Sequence, residues 1–141
     1  MYDVVIKNGR VIDPSMGIDE VKTIAIKDGV FVQYDGKEDI RKLIDAEGCF
    51  VTPGFVDAHS HVFYGGSGNL STQADISCLP NCVTTVCDAG SSSTWSFEAF
   101  YKNDIIPSIT NVIAALHPCI TGVQLPPKEE DQNPEFFNTD E

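Results

Sequence analysis

Residues 53–61 read Pro53-Gly54-Phe55-Val56-Asp57-Ala58-His59-Ser60-His61. A Pro-Gly break ends what precedes it, and Phe55 to His59 is a strand candidate. In a strand successive side chains point to opposite faces, so His59 and His61 share one face. Two imidazoles at that spacing reach a single metal ion, with zinc–nitrogen distances of about 2.0–2.1 Å. Asp57 lies on the same face one step earlier, placed to orient a ligand or a bound water. A His-x-His pair alone is equally well read as a coincidental surface pair. The context singles this one out: a break, an apolar strand, both histidines at its C-terminal end, and then the glycine-rich loop Gly65 to Gly68. Parallel α/β folds build their active sites at such strand ends.

Downstream the pattern repeats. Cys82 to Cys87 is almost wholly apolar or β-branched, as expected of a strand buried on both faces. Asp88-Ala89-Gly90-Ser91 reads as the loop after it. Phe97, Phe100, Tyr101 and Ile105 then fall on one helical face, closed by Pro107, and Val112 to Leu116 is a third buried strand. Strand, loop, strand, helix, strand predicts parallel α/β units.

Upstream the chain reads as short strands and tight turns. Asn8-Gly9 predicts a hairpin between Asp3–Lys7 and Arg10–Asp13, and Asp28-Gly29 a second between Thr23–Lys27 and Val30–Tyr34. Pro14 to Gly17 is the loop between them. Asp35 to Glu38 is a further turn, and Glu47-Gly48 precedes a strand at Cys49 to Thr52. The break at residue 53 thus divides an all-β unit, residues 1–52, from an α/β unit, residues 53–141.

The chain has 141 residues, 42% hydrophobic and 21% charged, which fits a globular core and excludes wholesale disorder. Nine basic against 21 acidic residues give a net charge of −12. That balance argues against nucleic-acid or anionic-membrane binding, which needs Lys and Arg. No apolar run approaches the ~18 residues of a membrane-spanning helix, and the N-terminus lacks the pattern of a secretory signal. The five cysteines are odd in number and unpatterned, read as reduced thiols of a cytoplasmic protein.

Taken together, Gly54 to His61, preceded by Ile26-Lys27-Asp28-Gly29 and Ile44-Asp45-Ala46-Glu47-Gly48, resembles the start of an amidohydrolase-superfamily metal-dependent hydrolase. Val83-Thr84-Thr85-Val86 with Asp88-Ala89-Gly90-Ser91 resembles that superfamily's second barrel strand and loop. With Phe97 to Lys102 it is most similar to the acetyl-amino-acid deacetylase and dihydroorotase-like branch. The resemblance spans roughly residues 2 to 117. It implies a small N-terminal β-sandwich followed by the first β/α units of a (β/α)₈ TIM-like barrel, here incomplete. It also implies one or two divalent metal ions, zinc first among them. His59 and His61 match the superfamily's first two metal ligands. A metal-activated hydroxide would attack a linear or cyclic amide, or an acetyl ester, of a small-molecule substrate.

The superfamily draws its remaining ligands from later strands. A full barrel takes about 250 residues, and 88 follow Pro53 here. The expectation is therefore an N-terminal portion, inactive by itself, or alternatively a non-catalytic remnant serving as a metal-binding or interaction module. Uncovered strand edges in such a piece favour homo-oligomerisation or aggregation.

Smaller features have two readings each. Asp88 is expected behind the site or at its mouth. Ser91, with Ser92 and Ser93, either binds substrate or simply caps loop and helix N–H groups. His117, at the end of the third strand, either contacts substrate or closes the strand before Pro118. Cys78 and Cys82 have the spacing of a zinc half-site, but no second pair follows. Cys82 stands where relatives mostly carry glycine. Asn69-Leu70-Ser71 matches a glycosylation sequon without a secretory context, and the acidic tail from Pro118 reads as solvated surface.

Overall fold

The computed structural model describes residues 1–66, 71–120 and 122–123. The rest of the glycine-rich loop and almost all of the acidic tail lie outside these, as does most of the sequon. The chain forms two compact units, Met1–Pro53 and Gly54–Glu141.

The first unit holds seven strands: β1 (Tyr2–Lys7), β2 (Arg10–Asp13), β3 (Ile18–Val21), β4 (Ile24–Lys27), β5 (Val30–Val32), β6 (Ile40–Asp45) and β7 (Phe50–Val51). They form two sheets, ordered β5-β4-β1-β6 and β3-β2-β7. The Asp28-Gly29 hairpin is present. Lys27 pairs with Val30, and both turn residues have positive φ, 54° and 76°, as a type I′ turn requires.

The Asn8-Gly9 hairpin is not formed. β1 pairs with β4 and β6, and β2 with β3 and β7, so these two residues carry the chain from one sheet to the other. Only Asn8 has positive φ. Gly9 is required for space: a Cβ there would lie 2.6 Å from Val51 Cγ2 and 2.9 Å from the Ala46 Cβ. Pro14 to Gly17 accordingly turns β2 into β3. Tyr2, Val5 and Ala25 form the core, with Val32, Tyr34 and Ile40 packed on it.

The second unit contains β8 (Phe55–Ser60), a short helix α1 (Ala74–Ser77), a 3₁₀ turn at Leu79–Asn81, β9 (Val83–Ser92), α2 (Phe97–Phe100) and β10 (Asn111–Leu116). The three strands are parallel, in the order β10-β9-β8. Val62, Phe63, Ala74, Cys78, Val86 and Phe100 form the core, with Val83, Phe97, Ile105, Val112 and Ala114 against it. Phe63 and Phe100 meet with ring centroids 4.9 Å apart.

Three expectations are corrected here. Asp88 to Ser91 is not a loop, because β9 stays paired with β10 as far as Ser92, across an irregularity at Gly90, whose φ is 84°. Cys82 does not open the strand; it is an exposed left-handed cap (φ 60°) ending the 3₁₀ turn. Tyr101 is exposed, although its ring stacks on Phe97 with centroids 6.0 Å apart; the helix then widens into a π-helix over Tyr101–Ile105, closed by Ile106 N–H donating to the Tyr101 carbonyl at 2.9 Å. All five cysteines are free, with Cys78 buried in the core and Cys82 exposed.

Candidate metal centre

Because β8, β9 and β10 run parallel, their C-terminal ends coincide, and this edge gathers His59, His61, Asp88, Ser91 and His117. β8 does not end regularly. Asp57 pairs with Val86, but Ser60 pairs with Asp88, so three steps on β8 face two on β9. The extra residue makes a β-bulge. The Asp57 carboxylate accepts the backbone N–H of His59 at 3.0 Å. Asp57 therefore acts on the bulged backbone of His59, and the simple alternation expected of a regular strand is replaced by a local kink.

His59 is exposed and His61 half-buried. Their ring centroids are 5.6 Å apart and the planes nearly perpendicular, at 89°. A tetrahedral ion with nitrogen ligands at about 2.0–2.1 Å holds two imidazole centroids roughly 5 Å apart. The pair therefore fits as two ligands of one ion. Among the described residues no group of three or more His, Cys, Asp or Glu side chains is placed to hold a metal.

His61 is fixed on several sides. Its Nδ1 lies 3.0 Å from Ser91 Oγ, leaving Nε2 as the nitrogen not engaged by that hydroxyl. Its carbonyl accepts the Thr72 N–H at 3.2 Å. The next residue, Val62, donates its N–H to Asp88 Oδ2 at 2.7 Å, and Ser91 donates its N–H to Asp88 Oδ1, also at 2.7 Å. Asp88 is 1% exposed, so it does not stand at a mouth. Ser91 is equally buried, and its hydroxyl faces His61.

His117 follows β10 and turns inward on the backbone. Its N–H donates to the Ser92 carbonyl at 2.8 Å, and its Nδ1 accepts the Cys119 N–H at 3.1 Å. The ring packs where a side chain on Gly90 would sit. These contacts close the strand end. Of the neighbouring hydroxyls, Ser93 Oγ donates to the Ile120 carbonyl at 2.7 Å. The link from Asp88 through Ser91 to His61 was not visible beforehand, since it depends on the bulged register of β8 against β9.

The sequence model of the amidohydrolase family matches residues 42–89, which include both histidines and Asp88. An adenine deaminase of Listeria monocytogenes is 43% identical over 86 residues, 60% of this chain and 14% of that protein. A dihydroorotase of Anaeromyxobacter is 46% identical over 79 residues, 52% of this chain and 18% of that protein. The chain thus spans less than a quarter of these relatives' lengths.

A crystal structure of an adenine deaminase superposes with a TM-score of 0.70 at 25% identity, covering 98% of this chain and 36% of that one. A dihydroorotase structure gives the same TM-score at 24% identity, covering 85% and 32%. The motifs point to the dihydroorotase-like branch and carry no sign of adenine deaminase. On these matches, the chain is similar over part of its length to members of the amidohydrolase family.

Proposed function

We propose that these residues are the N-terminal portion of a metal-dependent amidohydrolase that hydrolyses carbon–nitrogen bonds of small molecules, linear or cyclic amides, with acetyl esters as the neighbouring substrate class. The observation that carries the reading is the His59–His61 pair, 5.6 Å apart at the C-terminal edge of a parallel sheet. Relatives that are adenine deaminases and dihydroorotases support it. On this reading β8, β9 and β10 are the first strands of a (β/α)₈ barrel, and the seven-stranded unit contributes to a β-sandwich.

His59 and His61 would hold the divalent ion, zinc being the first choice for two imidazoles. When bound, the metal supplies Lewis-acid polarisation of the scissile carbonyl and lowers the pKa of water towards ~7. The chain's own contribution is positional. Asp57 holds the backbone at His59, and Ser91 holds the ring of His61. Asp88 has one backbone N–H on each oxygen and is buried, which makes it a poor proton shuttle.

The further ligands, and the carboxylate that moves protons, belong on this account to residues other than those described. The 141 residues by themselves therefore hold metal weakly and do not turn over substrate. A second reading, a non-catalytic metal-binding or interaction module, is favoured by one observation: no third ligand joins the pair among the described residues. A cytoplasmic location with soluble small-molecule substrates fits both the charge and the free cysteines. Among the described residues no helix is long and apolar enough to cross a membrane.

The test uses the polypeptide as its source cell makes it, with and without His59→Ala or His61→Ala. Both variants should lose bound metal and nearly all hydrolysis of an amide panel. Full activity with stoichiometric metal in either variant contradicts the proposal.

A further inference from the structure

We infer that Asp88 and Ser91 are positioning residues that set the ring of His61, with Nδ1 as the proton-bearing nitrogen bonded to Ser91 Oγ and Nε2 presented outward as the ligand atom. The inference deepens the metal-site reading and rests on it for its purpose, but the ring state itself can be measured without metal.

The argument starts from Asp88. A buried carboxylate must be paired or hydrogen-bonded, because desolvation of the charge is otherwise prohibitive. Asp88 makes no ion pair among the described residues and takes two backbone N–H groups instead, each at 2.7 Å, within the range of charge-assisted bonds. The two donors are Val62, directly after His61 in the chain, and Ser91, whose hydroxyl meets the His61 ring. One carboxylate therefore grips the backbone that carries the ring and the residue that engages it. Changing either bond moves the hydroxyl relative to the imidazole.

The donor direction follows from the same geometry. In neutral imidazole one nitrogen carries the proton and the other a lone pair. On the metal-site reading the pair shares an ion, and the nitrogen free of Ser91 then offers its lone pair. Nδ1 then donates to Ser91 Oγ. Ser91 is 1% exposed, which limits competition from bulk water for that bond. Partners of this kind fix tautomer and ring orientation in metal sites, and their loss costs about 10–100-fold in metal affinity.

The experiment is ¹H–¹⁵N spectroscopy of histidine rings in the metal-free 141-residue chain at a pH above the histidine range, followed by titration with Co²⁺. In the wild type, His61 should appear as the Nδ1–H tautomer. Ser91→Ala should shift it towards Nε2–H and weaken Co²⁺ binding about tenfold or more, while Ser91→Thr restores both. Asp88→Asn keeps an acceptor for only one of the two N–H groups and should shift the ring in the same direction. If that variant does not fold, Asp88→Glu, which keeps both oxygens on a longer arm, carries the same readout.

A wild-type His61 in the Nε2–H form, or a tautomer unmoved by Ser91→Ala, overturns the inference. So does a wild-type ring state in a folded Asp88 variant. If the tautomer behaves as expected but Co²⁺ binding is absent or indifferent to His61→Ala, the metal reading fails while the positioning role stands.

Discussion

Asp88 Oδ2 accepts the backbone N–H of Val62 at 2.7 Å, across 26 residues of sequence, and so ties the end of β9 to the segment leaving β8. The bond is buried, and the second carboxylate oxygen is taken by Ser91. The two strand ends that frame the histidines are thereby held by one side chain.

Removing that side chain should be costly. Asp88→Ala leaves two buried N–H donors unsatisfied, at about 1–3 kcal/mol each, so a loss of roughly 2–6 kcal/mol is expected in urea unfolding followed by circular dichroism. A loss under about 0.5 kcal/mol, typical of surface changes, would contradict the role given to this carboxylate.

A second carboxylate works at the opposite end of β10. Asp75, in α1, accepts the N–H groups of Ile109 and Thr110 at 2.9 and 2.8 Å. These bonds hold its carboxyl below the usual aspartate range. A folded pKa below the unfolded one means that the stability is present above the unfolded value, ~3.9, and is lost as pH falls through the lower folded value. Asp75→Ala should therefore lower the Tm at pH 7, and the gap to wild type should close as pH falls below the unfolded value, ~3.9. A gap independent of pH would contradict the account.

At Gly9 the expected cost is steric. Gly9→Ala places a methyl against Val51 and Ala46, an overpacking worth about 1–3 kcal/mol. Val51→Ala in the same chain should recover part of it, which a double-mutant cycle measures. Additive effects would show that Gly9 serves backbone freedom instead.

Cys82 predicts the reverse sign. It is exposed and left-handed, a conformation that penalises a Cβ. Cys82→Gly should stabilise the chain by up to ~1 kcal/mol, and Cys82→Val should destabilise it. Equal Tm values for glycine and valine would refute the strain.

Much of this was readable from local sequence, and the failures have identifiable causes. Asp28-Gly29 forms its hairpin because both residues take positive φ. Asn8-Gly9 carries the same signal, but β1 finds its partners in β4 and β6, a non-local choice that no turn motif records. β6 carries no local strand signal, because Ile40-Arg41-Lys42-Leu43-Ile44-Asp45 lacks clean alternation and pairs in parallel with β1. β3 is mostly exposed and carries Asp19 and Glu20, residues depleted in strands. Its placement shows in the antiparallel pairing with β2 and in the Arg10–Asp19 bonds across to that strand. In the site, the proposal for His59 and His61 comes from their spacing. The roles of Asp88 and Ser91 do not, since both depend on a bulge that shifts β8 by one residue against β9.

The central claim, that His59 and His61 share one metal ion, is tested most directly by titrating the ¹⁵N-histidine-labelled chain with Zn²⁺. The chain has three histidines, so the third is an internal control. The account predicts that the ring nitrogens of His59 and His61 shift together while those of His117, which closes a turn onto Cys119, stay in place. Zinc-dependent shifts centred on His117, or no shift of the pair at millimolar zinc, would contradict it.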